Sequence, residues 1–439
     1  MKNIITKTGL YAAALMTLAL GFTACEDEPD RFELADGTPT VYYVRPINIE
    51  AADSLLTGAY MGNSICIVGD NLRSVYKLFF NDQQAVLNNS YMTDHTILVD
   101  VPNEIPNEVS NLMYLITKDR DTVKFDFNVL VPAPTISSMS CEYAAVGSVA
   151  TLYGDYFVDD PNVPLKVFVG DTEAEVKNIT KGAIDFVVPD EKDVPVKVTN
   201  IYGEATSVFH YKDARGMLFN FDTDPHPANH GWHAQVIETD ETAIDGKFLR
   251  FGAADVTMSE DGGWDDGHFS FEYWPGDWDD PVTYADSPRL TDFADFSDWQ
   301  NMSLKFELYI PSSNPWMAGS MQLIVAGVEK ISGGAAGATD IYGKTLGGAN
   351  NTFFNGNDLP RGLYTPWAAT GSFDTGDQWI TVTVPYSNFI YGADGTISGG
   401  SLTAEDFTSL TIFVWSGGNK GTECKPIMKI DNIRAVPNK

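Results

Sequence analysis

Apolar and polar residues alternate with period two along most of the chain. No stretch longer than ten residues carries the 3.6-residue period of an amphipathic helix. The alternation is clearest in "SICIVG" (64–69), "SLKFELYIP" (303–311), "QWITVTVPYSNF" (378–389) and "SLTIFVW" (409–415). One pattern recurs: "GNSICIVGDNLRSVYKLFFNDQQAVLNNSYMTDHTILVDVP" (62–102) aligns with "GSVATLYGDYFVDDPNVPLKVFVGDTEAEVKNITKGAIDFVVP" (147–189). Both copies read as short strands closed by Gly-Asp and Pro turns, the signature of small antiparallel sandwiches. "VPAP" (131–134) separates them as a stiff joint. The spacing predicts Ig-like sandwiches over 40–131 and 132–213. A longer block over 214–439 opens with "MLFNFDTD" and closes with "CKPIMKIDNIRAVPN", two strand patterns expected to pair at the edges of a jelly-roll-like β-sandwich. The predicted class is all-β.

Tryptophan changes this picture. All nine tryptophans lie beyond residue 231, in the last block alone. Trp379 and Trp299 lead into alternating strands and read as core; Trp415, at a strand end beside "SGGNKG", is open to either role. Trp232, Trp264, Trp274, Trp278, Trp316 and Trp367 sit in polar, loop-like surroundings. Leaving an indole in water forgoes about 1.5–3 kcal/mol of burial. Such rings therefore either pack under their loops or await a ligand with apolar faces. The densest stretch, "DGGWDDGHFSFEYWPGDWDD" (261–280), carries six aromatics and seven carboxylates. Within it "HFSFEYW" alternates, so Phe269, Phe271 and Tyr273 share one face, and Trp274 shares the other with Glu272. Both Tyr273 and Trp274 reach one platform only if the strand ends or twists at Pro275.

Charge and address narrow the ligand. Lys and Arg total 28 against 60 Asp and Glu, a net −32. Such a surface repels phosphate backbones and anionic lipid, which argues against nucleic acid. The first 24 residues have a basic start (Lys2, Lys7) and an apolar run too short to span a bilayer, as in a signal peptide. "FTAC" resembles a bacterial lipobox, making Cys25 the lipidated first residue of a mature chain tethered by an acidic segment over 25–39. Cys66, Cys141 and Cys424 are too few and too scattered for a disulfide framework or a zinc site.

Neutral sugars suit what remains. A β-linked pyranose offers an axial C–H face for indole or phenol rings, and its hydroxyls need acceptors at the rim. The ligand-binding candidates are Trp264, Tyr273, Trp274 and Trp278, joined by Trp232, Trp316 and Trp367, with Asp265, Asp266, Asp277 and Asp279 taking hydroxyls. A glycosidase needs a carboxylate pair with one raised pKa, and only Glu260 and Glu272 lie inside the aromatic block. "HPANHGWH" lacks the spacing of a metal-ligating motif, and "GGAAGATDIYGKT" (333–345) fails the P-loop pattern at Ala338. No cofactor is expected. A structural Ca²⁺ at Asp277, Asp279 and Asp280 is the one metal option, without EF-hand spacing behind it.

The "G-x-x-V-x-I-x-G" rhythm of both repeats, with Gly69-Asp70 and Gly154-Asp155 ending a strand, resembles IPT/TIG domains. Lipoprotein signal, acidic residues after Cys25, tandem TIG-like modules and a Trp-rich β domain together resemble the surface glycan-binding proteins of Bacteroidetes polysaccharide utilisation loci. The resemblance implies an outer-membrane lipoprotein exposed at the cell surface. Its spacer modules would lead to a C-terminal domain that binds xyloglucan or a related β-glycan without cleaving it. It also implies a SusD-like lipoprotein and a TonB-dependent transporter as partners. Tyr273-Trp274 looks like the tyrosine–tryptophan step of that family's aromatic platform. Two other readings stay open: a surface endo-glycanase, and an adhesin whose aromatics are all core.

Overall fold

The computed structural model describes residues 34–51, 53–223, 235–263, 268–275, 288–333, 336–348 and 356–438. The signal sequence, Cys25, Trp232, Trp264, Trp278 and Asp280 lie outside them, as do Asp265, Asp266, Asp277 and Asp279. All regular structure among the described residues is strand or short 3₁₀ turn, so the chain is all-β. Two compact units, Met1–Pro132 and Ala133–Lys439, divide it within the "VPAP" stretch.

The first unit is one Ig-like sandwich. Thr40–Pro46, Ser64–Asp70 and Thr96–Asp100 form one sheet; Gln83–Ala85, Val75–Phe80, Leu112–Thr117 and Thr122–Asp126 form the other. Their inward positions, among them Ile65, Ile67, Leu78, Ile97 and Leu115, are buried. The second unit begins with a module of the same plan. Thr135–Met139, Val149–Asp155, Ala183–Val187 and Val176–Ile179 face Thr172–Ala174, Lys166–Val169, Val194–Asn200 and Gly203–Tyr211 across a core that includes Leu152, Val167, Ile184 and Val198.

The repeated Gly-Asp has one physical cause in both modules. The first strand bulges between Val41 and Tyr43, and again between Ile136 and Ser138. There it brings a carbonyl against the glycine. A Cβ on Gly69 would lie 1.8 Å from the Thr40 oxygen, and one on Gly154 lies 1.9 Å from that of Thr135. Only a residue without Cβ permits the approach.

The C-terminal sandwich packs two sheets over one large apolar core. The larger sheet runs Ile237–Glu238, Phe248–Phe251, Met428–Pro437, Met302–Tyr309, Ile380–Pro385, with Met217–Phe219 also on Met428–Pro437. The block's first and last strands do pair, Met217 opposite Arg434. Met428–Pro437 nevertheless lies inside the sheet and not at its edge, because it also pairs Phe248–Phe251 and Met302–Tyr309. The smaller sheet runs Ser270–Tyr273, Ser409–Val414, Met321–Ala326, Gly362–Tyr364.

A buried ion cluster joins the second Ig-like module to this sandwich. Lys305 Nζ donates to Glu142 Oε1 (2.5 Å), and Arg434 Nη2 donates to Glu142 Oε2 (2.7 Å) and Glu307 Oε1 (2.9 Å). Thr381 Oγ1 donates to Glu307 Oε2 and accepts from the Glu142 amide, both at 2.7 Å. Thr381 N reaches the Ser140 carbonyl at 3.0 Å. Two acids and two cations leave the cluster neutral. Burial alone would lower the Arg434 guanidinium, but the Glu307 and Glu142 carboxylates outweigh it and raise it. Burial raises Glu307, with Arg434 opposing.

Candidate functional site

The smaller sheet has two buried faces, and they differ. Alternation along Ser270–Tyr273 sends Phe271 and Tyr273 into the core between the sheets, opposite Ile412 and Leu410. Ser270 and Glu272 lie opposite Phe413 and Thr411 on the outer face. There Trp274, Ile324, Ala326, Ile331, Leu359 and Phe413 form a second, small apolar cluster, with Trp415 packed at its margin. Polar groups tie it down. Trp274 Nε1 donates to Thr411 Oγ1 (2.9 Å), Arg361 Nη1 to Gln322 Oε1 (2.6 Å), and Gln322 Nε2 to the Trp415 carbonyl (2.6 Å). Burial lowers the Arg361 guanidinium to about 10, the Asp394 charge opposing. It stays cationic at neutral pH.

Four chain segments are rooted around this strand. Gln235 Nε2 donates to the Glu272 carbonyl (3.2 Å), and Gly263 N to that of Val414 (2.9 Å). Tyr273 OH donates to the Pro288 carbonyl, and Gly333 N to that of Pro275 (3.0 Å). Gln235, Gly263, Pro275, Pro288 and Gly333 each border one of the segments 224–234, 264–267, 276–287 and 334–335. Trp232, Trp264, Trp278 and the aspartates 265, 266, 277 and 279 belong to the first three. The residues that border these aromatic, acidic segments are thus bonded at both ends of one short strand: Gly263 beside Val414 near its start, and Gln235, Pro275 and Pro288 near its finish.

The four described candidates are buried and do not form an open platform. Tyr273 packs edge-on against Phe219, ring centroids 5.0 Å apart, in the inter-sheet core. Trp316 and Trp367 lie in the same core, their indole N–H groups bonded to the carbonyls of Ala318 (2.5 Å) and Gly319 (2.7 Å). Their proline and glycine neighbours suggest surface loops, but the loops carry the rings inward. Trp274 lies on the outer face, as alternation requires, yet is only 1% exposed. Trp299 packs on Phe407 and is half-buried, as its strand-leading position suggests.

One exposed aromatic escapes the sequence reading. Tyr342 is 52% exposed on the turn within 333–345, whose glycines divert attention to phosphate binding. Asp340 Oδ1 accepts from the amides of Tyr342 and Lys344, both at 2.9 Å, and fixes the turn. The Arg289 guanidinium lies 4.1 Å from the Tyr342 ring centre, one residue beyond the Pro288 anchor. The cations nearby are committed: Arg289 to Asp340, Lys330 to Asp406, Lys344 to Glu405 and Lys420 to Glu260. These pairings leave little to attract an anionic ligand.

An all-β sandwich that anchors the borders of Trp- and Asp-rich stretches around one short strand fits a carbohydrate-binding domain. Residues 211–437 match the family described as the surface glycan-binding protein B xyloglucan binding domain. The crystal structure of surface glycan-binding protein PbSGBP-B from Prevotella bryantii is 46% identical; the match covers 92% of this chain and 100% of that one, with a TM-score of 0.84. An IPT/TIG domain-containing protein of Bacteroides ovatus is 29% identical over 158 residues, 35% of this chain and 31% of that protein. The chain belongs to the surface glycan-binding protein B family, whose members bind glycans at the cell surface without catalysing a reaction on them.

Proposed function

We propose that the protein captures a neutral β-linked polysaccharide of the xyloglucan or β-glucan class through the segments rooted around Ser270–Tyr273. Stacking on Trp232, Trp264 and Trp278 supplies affinity; Asp265, Asp266, Asp277 and Asp279 accept from sugar hydroxyls. Trp274 supports this site by fixing the strand end beside the Pro275 anchor, its indole N–H bonded to Thr411 Oγ1. Lipidated Cys25 holds the chain on the outer membrane, and the bound glycan passes to a SusD-like lipoprotein and TonB-dependent transporter. The observation that carries the reading is the match of residues 211–437 to a xyloglucan binding domain. Solved proteins with partial likeness have been crystallised with xylogluco-oligosaccharide and with a mixed-linkage heptasaccharide, which sets the ligand panel.

Affinity electrophoresis of residues 26–439 against xyloglucan, mixed-linkage glucan, galactomannan, laminarin and a polygalacturonate tests it. Retardation by a neutral β-glucan, none by polygalacturonate, and loss of retardation in Trp264→Ala or Trp278→Ala are the expected results. Equal retardation of wild type and both variants overturns the assignment.

A further inference from the structure

A cleft between the second Ig-like module and the sandwich takes no part in the reading above. It encloses about 550 Å³, within the range of small-molecule sites. Ser148, Val149 and Thr151 of the module line it together with Tyr309, Gln378 and Trp379 of the sandwich. We propose that this cleft is a second carbohydrate site, taking one or two units of a neutral sugar.

Three observations carry the proposal. The first is an aromatic wall already fixed in place. Trp379 is half-buried, packs on Tyr309 with centroids 5.6 Å apart, and donates its indole N–H to the Thr242 carbonyl (2.6 Å). These contacts hold the ring in place, so stacking a pyranose on it costs little ordering of the protein side chain. The second is the lining's chemistry. Ser148 Oγ and Thr151 Oγ1 spend their protons on the Ala145 carbonyl (2.6 Å) and Asp185 Oδ1 (2.7 Å), leaving oxygen lone pairs for sugar hydroxyls. Gln378 Nε2 donates to the Asp377 carbonyl (2.8 Å), which keeps its Oε1 as acceptor. Val149, 58% exposed, adds an apolar contact, and among the described residues no lysine or arginine lines the cleft. Glu241 and Asp377 add negative charge, which disfavours uronates and phosphates.

Third, the walls are held together. Ser140 and Cys141 line the cleft, and the next residue, Glu142, is locked by Lys305 and Arg434. The Thr381 amide bonds Ser140 across the joint. The space between module and sandwich is therefore a formed cavity with bonded walls. Its residues are separate from the Trp/Asp segments, so the inference stands whether or not those segments take xyloglucan.

The test is ¹⁹F NMR of residues 26–439 labelled with 5-fluorotryptophan and titrated with cellotetraose and a xylogluco-oligosaccharide. Trp379→Phe identifies the Trp379 resonance. That resonance is expected to shift on titration, and Val149→Arg, which fills the cleft from its exposed side, weakens the response at least tenfold. Trp264→Ala abolishes the response of the segment tryptophans and leaves that of Trp379. A Trp379 signal that stays fixed at saturating sugar, or that moves equally in Val149→Arg, overturns the cleft. Silent segment tryptophans beside a responding Trp379 would instead overturn the main site. A second measurement needs no Trp379 variant: sugar slows maleimide labelling of Ser148→Cys at least threefold, and an unchanged rate refutes the proposal.

Discussion

Trp316 and Trp264 look alike in the sequence, each in a polar stretch with glycine nearby, and substitution separates them. Trp316 is fully buried with its N–H bonded, so Trp316→Ala leaves a cavity and an orphaned carbonyl, costing about 3–5 kcal/mol. Thermal unfolding should register that loss. Trp264→Ala is expected to keep the melting temperature and lose glycan retardation. Asp431 gives a second residue-scale prediction. It is 1% exposed, its Oδ1 accepts from the Asn432 amide (2.7 Å), and its Oδ2 has no hydrogen-bond partner. Burial first, then the charges of Asp245 and Asp222, push its carboxyl up to about 9. An unfolded aspartate titrates near 3.9. Because the folded value is raised, the stability linked to this proton is full below about pH 4 and falls as pH climbs toward about 9. Asp431→Asn should therefore raise the unfolding temperature at pH 8 by several degrees, and much less at pH 5. An equal change at both pH values would refute this.

At the scale of strands, the repeated glycine is the sharpest handle. Gly154→Ala drives a Cβ into the Thr135 carbonyl and within 2.7 Å of the Phe157 ring, an overpacking expected to cost about 1–3 kcal/mol. Gly147, where a Cβ meets nothing within 4 Å, carries φ +81° and tests backbone strain alone. Differential scanning calorimetry of Gly154→Ala and Gly147→Ala separates crowding from strain. Strand identity was legible in the chain because period-two alternation reports directly on which face is buried. It placed Tyr273 inside and Trp274 outside. What the pattern does not report is what lies over an outer face. Trp274, Phe413 and Ile324 are apolar on a side where alternation predicts solvent, and a single strand carries no record of distant residues such as Ile331 and Leu359 that pack with them. For the same reason Trp316 and Trp367 resembled surface residues: proline and glycine mark a turn, not the direction in which the turn's indole points.

For the whole molecule, the ion cluster at the joint decides what counts as a part. Removing one member of a buried pair strands its partner's charge and costs about 3–5 kcal/mol, whereas replacing all members with apolar residues of similar volume is often neutral. Glu142→Gln and Arg434→Met are each expected to lower the unfolding temperature of Ala133–Lys439, and the double variant to lose less than the sum. A double-mutant cycle by thermal denaturation reads the coupling; strict additivity would mean the contacts do not couple. A fragment cut after residue 213 discards Glu142 while keeping Arg434 and Lys305. Binding assays on such a piece would report a damaged domain.

The same cluster bears on how such proteins are rebuilt by recombination. A crossover near Pro132 exchanges the first Ig-like module and leaves every member of the cluster with its partners. A crossover between Asp213 and Met217 delivers a new binding domain that must already carry counterparts of Lys305, Glu307 and Arg434. The heritable cassette is thus a module with its sandwich, and lineages that trade glycan preference should inherit the two together.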